Sequence, residues 1–302
     1  MKIHLYIEKY FALFLIAGII LGLSVPVYSS VLMSFLKPLL MIMLFLVFLK
    51  TDVSQIIKNM KNYRLTALVV ILNIVIFPLI FYFVVNPFNH NLAVAALLLT
   101  AMPAAIASPA LTDIAKGNTA LSASIVIVSS LVAPLTVPFL FWLVRISDLS
   151  INPWWLLIDI SVIIIIPLIV SQFVKKYKPQ FVEKNQQIFT SVNVFILAAM
   201  VYVAIASQRD AMMINSVELL LDTGFLYLLF ILLHVMGYFM GYSRSKEDKI
   251  AITVVSAYRN NGLAIVLAAV YFEPPILILM VLTELPWNTL LIPFRKIATY
   301  YR

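Results

Sequence analysis

One arginine lies in the middle of an otherwise apolar stretch of this chain. The sequence SAYRNNGLAI, residues 256–265, contains Arg259 next to Tyr258, Asn260 and Asn261, with IAITVV before it and VLAAVYF after it. A guanidinium can hold a carboxylate through two parallel hydrogen bonds. An unpaired charge in apolar surroundings is expensive, so Arg259 is expected to have a partner or a ligand.

Glu284 is a second ionisable residue in an apolar stretch, within TELPW, residues 283–287. Spacing of three and four residues puts Glu284, Trp287 and Asn288 on one face of a helix. Glu284 is the best candidate for the partner of Arg259, and a buried carboxyl group also indicates a route for a proton.

Recognisable catalytic motifs are missing from the sequence. It has no HExxH, no GxSxG and no glycine-rich phosphate loop after a strand, and with no cysteine it has no thiol nucleophile. His234 has no evident serine partner, and no protease motif surrounds Asp159 or Asp222. We therefore expect neither an enzyme nor a cofactor.

The composition is that of an integral membrane protein. Of the 302 residues, 63% are hydrophobic and 11% are charged, and the mean hydropathy is +1.05. Soluble domains have about 45–50% apolar and about 25% charged residues. A membrane-spanning helix needs roughly 20 apolar residues. The sequence predicts about ten spans, at residues 10–28, 31–49, 65–85, 92–116, 119–144, 153–174, 186–206, 217–242, 249–272 and 275–294.

Basic residues are distributed unequally between the predicted loops. With ten spans, seventeen of the 21 lysines and arginines fall on the side of both termini, and only Arg145 and Arg209 fall on the other side. Basic loops stay in the cytoplasm, so we expect a multi-pass protein of the cell membrane with both termini cytoplasmic. This bias explains the net charge of +8 without a nucleic acid partner, so the expected partners are the lipid bilayer and a small-molecule solute.

Two spans carry interruptions at matching positions. The fourth contains Pro103 and Pro109, and the ninth contains YRNNG, residues 258–262. Broken helices at equivalent places in two halves are typical of a transporter with inverted repeats and a central binding site. We expect an all-α protein forming one transporter domain, 1–302, with repeats of about 1–148 and 149–302. The alternative is that both interruptions are kinks that serve only packing.

The stretch from Ser108 to Phe141, SPALTDIAKGNTALSASIVIVSSLVAPLTVPFLF, resembles the fourth and fifth helices of the bile acid:sodium symporter superfamily. RNNGLA, residues 259–264, is similar to the other crossover segment of that family, and TELPW is closer to the related arsenite-efflux carriers. The resemblance implies ten helices, a panel domain and a core domain, and discontinuous helices four and nine that cross. It also implies alternating access by movement of one domain against the other.

The resemblance further implies two sodium ions at the crossover, bound by hydroxyl, amide and carboxylate oxygens. Among the matching positions only Ser108 and Ser122 keep such groups, with Thr112 nearby. The other positions are occupied by Pro109, Val126, Val255 and Arg259. Ser108 and Ser122 are therefore the residual candidates for sodium ligands. The arsenite-carrier pattern also fails, because its thiol would fall at Ala104 and its acid near Gly262.

Three roles for Arg259 are open at this point. Its guanidinium can replace a sodium ion, bind an anionic substrate, or form a structural pair with Glu284. The sequence predicts a secondary transporter of a small organic anion or similar solute. Its coupling ion is left open, because the resemblance implies sodium whereas the residues argue against two intact sodium sites. A proton-coupled or uncoupled exporter of the arsenite-carrier type and a channel are the alternatives. The expected binding residues are Ser108, Pro109, Thr112, Ser122, Tyr258, Arg259, Asn260, Asn261, Glu284 and Asn288.

Overall fold

The computed structural model describes residues 11–27, 29–58, 62–145, 152–214 and 216–301, and these residues fold into α-helices joined by short turns. The helices of the first half are α1 (Phe11–Ser24), α2 (Ser29–Met33), α3 (Leu36–Lys50), α4 (Val53–Lys58), α5 (Tyr63–Ile71), α6 (Phe77–Val85), α7 (His90–Ala101), α8 (Ser108–Ile114) and α9 (Thr119–Val144). Those of the second half are α10 (Pro153–Tyr177), α11 (Pro179–Ile214), α12 (Ser216–Met240), α13 (Lys246–Ala257), α14 (Asn261–Tyr271), α15 (Pro274–Leu282), α16 (Glu284–Thr289) and α17 (Leu291–Ala298).

The prediction of an all-α membrane protein is confirmed. Within the described ranges, seven helices are long and apolar enough to cross a membrane, and three shorter apolar helices accompany them. The shorter ones are Leu13–Ser24, His90–Ala101 and Asn261–Tyr271, which fall in the first, fourth and ninth predicted spans. The two inverted repeats stay a prediction, and their boundary near residue 148 lies outside the described residues.

Several predicted helix ends were wrong. The seventh span, predicted at 186–206, is part of the helix Pro179–Ile214, because a polar segment after Pro179 continues the apolar helix at its start. The second and tenth spans are divided into shorter helices near Phe35, Thr283 and Leu290. Hydropathy locates the apolar part of a helix but not its polar ends.

Helices from distant parts of the chain form two packing groups, which also contact each other where α9 packs on α10 and α11 packs on α15. In one group α11 packs on α1 and α3, and α10 packs on α3. In the other, α6 packs on α7, α12 on α13, α14 on α15, and α9 on α5, α8 and α13. The first group, spans one, two, six and seven, matches the panel domain that the resemblance implies, and the second group, spans three to five and eight to ten, matches the core domain.

A partly buried carboxylate joins the two groups. Lys37 Nζ donates to Asp159 Oδ1 at 2.7 Å, and the Tyr271 hydroxyl donates to Asp159 Oδ2 at 2.6 Å. Lys37 and Asp159 belong to the panel group, whereas Tyr271 ends α14 of the core group. We call these three residues the Asp159 cluster. The ten-span topology puts all three near the outer surface, so their contact agrees with it.

Two glycines let α12 and α13 approach closely. A Cβ atom at Gly237 would lie 2.7 Å from Thr253 Cα, and one at Gly241 would lie 2.9 Å from Lys249 Cα. Small residues four positions apart commonly allow such contacts between membrane helices. The close contact holds α13, which leads into the ninth-span interruption, firmly against the eighth span.

Candidate functional site

Prolines explain why the fourth span is interrupted. The ring of Pro103 disfavours helical backbone at the preceding residue, and Met102 accordingly adopts an extended conformation with φ −64° and ψ 146°. Pro109 lies in the first turn of α8, where its fixed φ is suited to a helix start. The chain is therefore non-helical between Ala101 and Ser108.

The ninth span is interrupted at the same level by a helix cap. Tyr258 ends α13 in extended conformation, and the Asn260 side chain accepts a hydrogen bond from Leu263 N at 3.1 Å to start α14. Asparagine is a favoured residue at this capping position. The two consecutive asparagines after Arg259 thus begin the second half-helix, Asn260 as its cap and Asn261 as its first residue.

The two interruptions pair with each other as a short antiparallel bridge at Ala104 and Arg259. Ala105 N donates to Tyr258 O at 2.9 Å, and Asn260 N donates to Pro103 O at 3.0 Å. Backbone groups freed in a membrane interior must find partners. Most of these groups find them in the other interruption, so the crossover is satisfied at its backbone.

Side chains of neighbouring spans form hydrogen bonds with further backbone groups of the crossover. The Ser129 hydroxyl accepts from Ala104 N at 3.2 Å, and Trp287 Nε1 donates to Arg259 O at 3.2 Å. The Tyr258 ring also contacts the Trp287 ring edge to face, with 5.4 Å between centroids. The fifth and tenth spans therefore hold the crossover from two directions.

Arg259 directs its charge towards the third span. Its side chain is 1% exposed, and Nη2 donates to Asn73 Oδ1 at 2.9 Å and to Asn73 O at 3.2 Å. Its Nε is buried with no acceptor among the described residues. The guanidinium thus contacts neutral oxygens and keeps an uncompensated charge.

A π-turn explains why the backbone oxygen of Asn73 is free to accept a hydrogen bond from Arg259. In the turn Leu72–Ile76 the Phe77 N–H donates to Leu72 O, five residues back, instead of to Asn73 O. The residue that would serve Asn73 O in the same register is Pro78, which has no N–H. π-turns inside helices frequently occur at functional sites. Arg259 supplies the hydrogen bond that this turn leaves unmade.

The structural Arg259–Glu284 pair, one of the three roles left open by the sequence, does not form. The structure forms no ion pair within 4 Å between these two described side chains, and neither is among the other's charged neighbours. The reason is geometric, because the crossover turns Arg259 towards the third span while Glu284 belongs to the tenth. Of the three roles considered for Arg259, the structural pair is removed.

Glu284 has polar neighbours but no cation of the described chain beside it. It is 4% exposed, and Asn288 Nδ2 donates to its Oε2 at 3.0 Å and to its backbone oxygen at 2.7 Å. Asn261, the first residue of α14, lies beside the Glu284 carboxyl group. Neither amide atom of Asn261 makes a hydrogen bond of acceptable geometry within the described ranges.

The chain matches the model of the SBF-like CPA transporter family over residues 9–292. The chain belongs to this family. That membership confirms the resemblance to the bile acid:sodium symporter superfamily, and it makes the protein a membrane transporter and not an enzyme.

Relatives of this SBF-like transporter carry sodium in their names. It is 27% identical over 282 residues to a protein of Bacillus subtilis named uncharacterized sodium-dependent transporter YocS, which covers 90% of this chain and 85% of that protein. It is 23% identical over 209 residues to BASS1 of Arabidopsis thaliana, named a probable sodium/metabolite cotransporter, covering 67% of this chain and 50% of that protein. Rice BASS1 carries the same name and is 23% identical over 190 residues, covering 61% of this chain and 45% of that protein. The chain thus spans about half the length of the BASS1 proteins.

Three hydroxyl groups of this SBF-like transporter are buried close to the crossover helices. Ser108, Thr112 and Ser122 are fully buried, and their hydroxyl oxygens have no hydrogen-bond partner among the described residues. Val126 and Val255, at positions where the resemblance implies sodium ligands, are also buried and bring no side-chain oxygen. The hydroxyls alone therefore offer a sodium ion neutral oxygens without a carboxylate.

Of the ten residues predicted for the site, six meet at the crossover and the tenth span: Tyr258, Arg259, Asn260, Asn261, Glu284 and Asn288. Ser108, Pro109, Thr112 and Ser122 lie on α8 and α9, and no hydrogen bond joins them to those six among the described residues. Asn73 and Trp287 were missed as contacts of Arg259. An asparagine five residues before a proline within a span was the available signal for Asn73.

A cavity of about 610 Å³ opens between the eighth and tenth spans. Its walls include His234, Tyr238, Phe294 and Tyr301, and the His234 ring contacts the Tyr258 ring edge to face at 5.4 Å. This volume lies in the usual range for small-ligand sites. Its walls are mostly apolar, and none of the residues that line it is an aspartate, glutamate, lysine or arginine.

Proposed function

We propose that this protein is a secondary active transporter that moves a small organic anion across the cell membrane by alternating access, with sodium as the coupling ion. The solute class follows from Arg259, and the coupling ion is carried over from the relatives named sodium-dependent or sodium/metabolite transporters. Both termini are proposed to be cytoplasmic, as the basic loops indicate.

The observation that carries this proposal is the uncompensated charge of Arg259. The guanidinium is buried at the point where two broken helices meet, and no carboxylate of the described residues pairs with it. An isolated buried charge costs several kcal/mol unless it is paired. A carboxylate or similar anion supplies that missing charge, and the guanidinium geometry favours it.

The helix N-terminus at the crossover also favours a negatively charged ligand. The N-terminus of α14 begins two residues after Arg259, and helix N-termini carry partial positive charge. Half-helix N-termini are used in this way for anionic substrate groups in transporters with broken helices. Arg259 and the start of α14 therefore make one electropositive region.

Ligand-induced stabilisation of the purified protein tests the proposal. Unfolding midpoints are measured in detergent against a panel of small mono- and dicarboxylates, in sodium and in sodium-free buffer. A ligand that binds only the folded state at 100 times its Kd adds about 2.7 kcal/mol of stability. We expect at least one anion to raise the wild-type midpoint and to have no effect on Arg259→Gln.

Arg145→Gln is the matched control, because Arg145 is exposed in the loop after α9 and lies far along the chain from the crossover. It should keep the full anion response. The proposal fails if Arg259→Gln responds to the same anion as strongly as wild type does. In that case the guanidinium only fills a lost cation position.

A further inference from the structure

Glu284 and Asn261 form a polar group that the anion site does not use. Both are 4% exposed, and both lie at the crossover face of their helices, where Asn261 starts α14 and Glu284 starts α16. Asn288 donates to Oε2 of Glu284, and the Asn261 amide group lies within hydrogen-bonding reach of the same carboxyl group. A buried carboxylate of this kind lacks a counter-charge.

Asn261 provides an independent indication of a ligand. Its amide oxygen and nitrogen are both buried, and neither reaches good hydrogen-bond geometry with a described residue, although the amide group lies within hydrogen-bonding reach of the Glu284 carboxyl group. Buried polar side chains are usually satisfied, and exceptions need an explanation. Rotation of the amide group presents its oxygen to whatever lies next to Glu284, and amide and carboxylate oxygens are ligands that hard cations prefer.

We propose that Glu284 and Asn261 bind one sodium ion at this place, on the tenth-span side of the crossover. The ion supplies the counter-charge of Glu284, with the Asn261 amide oxygen as a neutral ligand. This site is separate from Ser108 and Ser122, whose hydroxyls have no carboxylate to accompany them. It rests on the proposed function, because it gives that transport its coupling ion.

The positions of the charges support this assignment. Arg259 faces the third span through Asn73, whereas Glu284 lies in the tenth span, and the two are not charged neighbours. A cation at Glu284 is thus not in contact with the guanidinium, and the full negative charge of the Glu284 carboxylate outweighs the partial positive charge at the start of α14. One fixed positive charge and one fixed negative charge, kept apart, can accept an anion and a cation at the same crossover.

Sodium binding is measured without transport, from the unfolding midpoint of purified protein as sodium replaces choline at constant ionic strength. We expect sodium to raise the wild-type midpoint in a saturable manner. Glu284→Gln should lose this shift, and Asn261→Ala should weaken half-saturation by at least about tenfold, since it removes one ligand to a charged group. Asp222→Asn removes another carboxylate from a span, on α12, and should keep the wild-type response.

Variants of Ser108 and Ser122 test whether sodium binds at their hydroxyl groups instead of at Glu284. Ser108→Ala and Ser122→Ala should keep the sodium shift, and loss of the shift in either, with retention in Glu284→Gln, overturns the proposal. A wild-type midpoint that ignores sodium but changes with pH only when Glu284 is present also overturns it, because the carboxyl group then holds a proton. Size-exclusion profiles in choline show whether each variant is folded. Since the anion response of Arg259 is measured separately, failure here leaves the test of anion binding intact.

Discussion

Asn73 is the residue on which the position of the Arg259 charge depends. It offers two oxygens to one guanidinium nitrogen, a side-chain oxygen at 2.9 Å and a backbone oxygen at 3.2 Å. The backbone oxygen is available because of the π-turn and Pro78, and not because of the asparagine side chain. The side chain therefore contributes only part of what holds Arg259.

Replacing Asn73 by leucine tests how much the side chain of Asn73, as distinct from its backbone oxygen, contributes to holding Arg259. Asn73→Leu removes Oδ1 and keeps the free carbonyl, so we expect it to lower the free energy of unfolding by about 1–3 kcal/mol, the cost of an unmade buried hydrogen bond. Chemical denaturation in detergent measures this loss. Asn193→Leu is the matched control, because the buried Oδ1 of Asn193 makes no hydrogen bond with a described residue. An equal loss in both variants contradicts the specific role of Asn73.

At the residue scale, the sequence predicted the identity of the central groups but not their contacts. Arg259 and Glu284 are conspicuous because charge is rare in apolar spans. Their pairing was one of three roles considered, on the ground of equal depth, and depth does not define the direction in which a side chain leaves the backbone. The bridge at Ala104 and the freed oxygen of Asn73 decide that direction, and both arise from three-dimensional pairing.

At the element scale, the Asp159 cluster connects helices that alternating access must separate. Its two hydrogen bonds to one carboxylate join α3, α10 and α14 at the end that the basic loops predict to be the outer one. A bond to a charged acceptor contributes about 1.5–3 kcal/mol. The cluster therefore favours the state in which the two packing groups are closed at this end.

Tyr271→Phe removes the hydrogen bond between Tyr271 and Asp159 and keeps the one between Lys37 and Asp159. We expect the population that is open at this end to increase by about tenfold or more. Since the chain has no cysteine, spin labels at Phe35→Cys and Glu273→Cys report the distance between the groups by double electron–electron resonance. The population with the longer distance should increase. Tyr227→Phe is the control, because the Tyr227 hydroxyl bonds Thr289 within the core group. Identical distance distributions in wild type and Tyr271→Phe would refute this role.

The eighth span offers a test of close helix packing. A Cβ at Gly237 would meet Thr253 Cα at 2.7 Å, and backbone cannot move as a side-chain end can. We expect Gly237→Ala to destabilise the protein by about 1–3 kcal/mol through overpacking. A Cβ at Gly224 of the same helix would meet no atom within 4 Å, so Gly224→Ala should be neutral or stabilise by about 0.5–1 kcal/mol. Thermal unfolding of both variants checks the difference, and a stable Gly237→Ala rejects the tight contact.

At the scale of the whole molecule, hydropathy, proline positions and the polar YRNNG stretch were sufficient to predict the helices and both interruptions. The division of the tenth span near Thr283 was missed, although Pro286 lies just after it and has no N–H to donate to Leu282 O. Contacts between helix ends that are distant in sequence agree with the sides of the membrane that the ten predicted spans assign to them. Asn118 bonds Asp248 at 2.7 Å, and Lys50 bonds Thr190 at 2.8 Å, each joining ends that ten spans put on one side.

The orientation in the membrane can be tested with single cysteines. Arg145 and Lys184 are both exposed and are predicted on opposite sides of the bilayer. A membrane-impermeant thiol reagent applied to intact cells should label Arg145→Cys and should label Lys184→Cys only after the cells are opened. The reverse pattern would mean that both termini are outside.

The central claim, that Arg259 makes this protein an anion transporter, is tested most directly by uptake into proteoliposomes. The anion selected by thermal stabilisation is offered with an inward sodium gradient to wild type, Arg259→Gln and Arg145→Gln. The account predicts saturable uptake by wild type and Arg145→Gln, and at least about a tenfold loss in Arg259→Gln, because a charged contact to the substrate is removed. Uptake by Arg259→Gln at the wild-type rate, or flux that does not saturate, would contradict it.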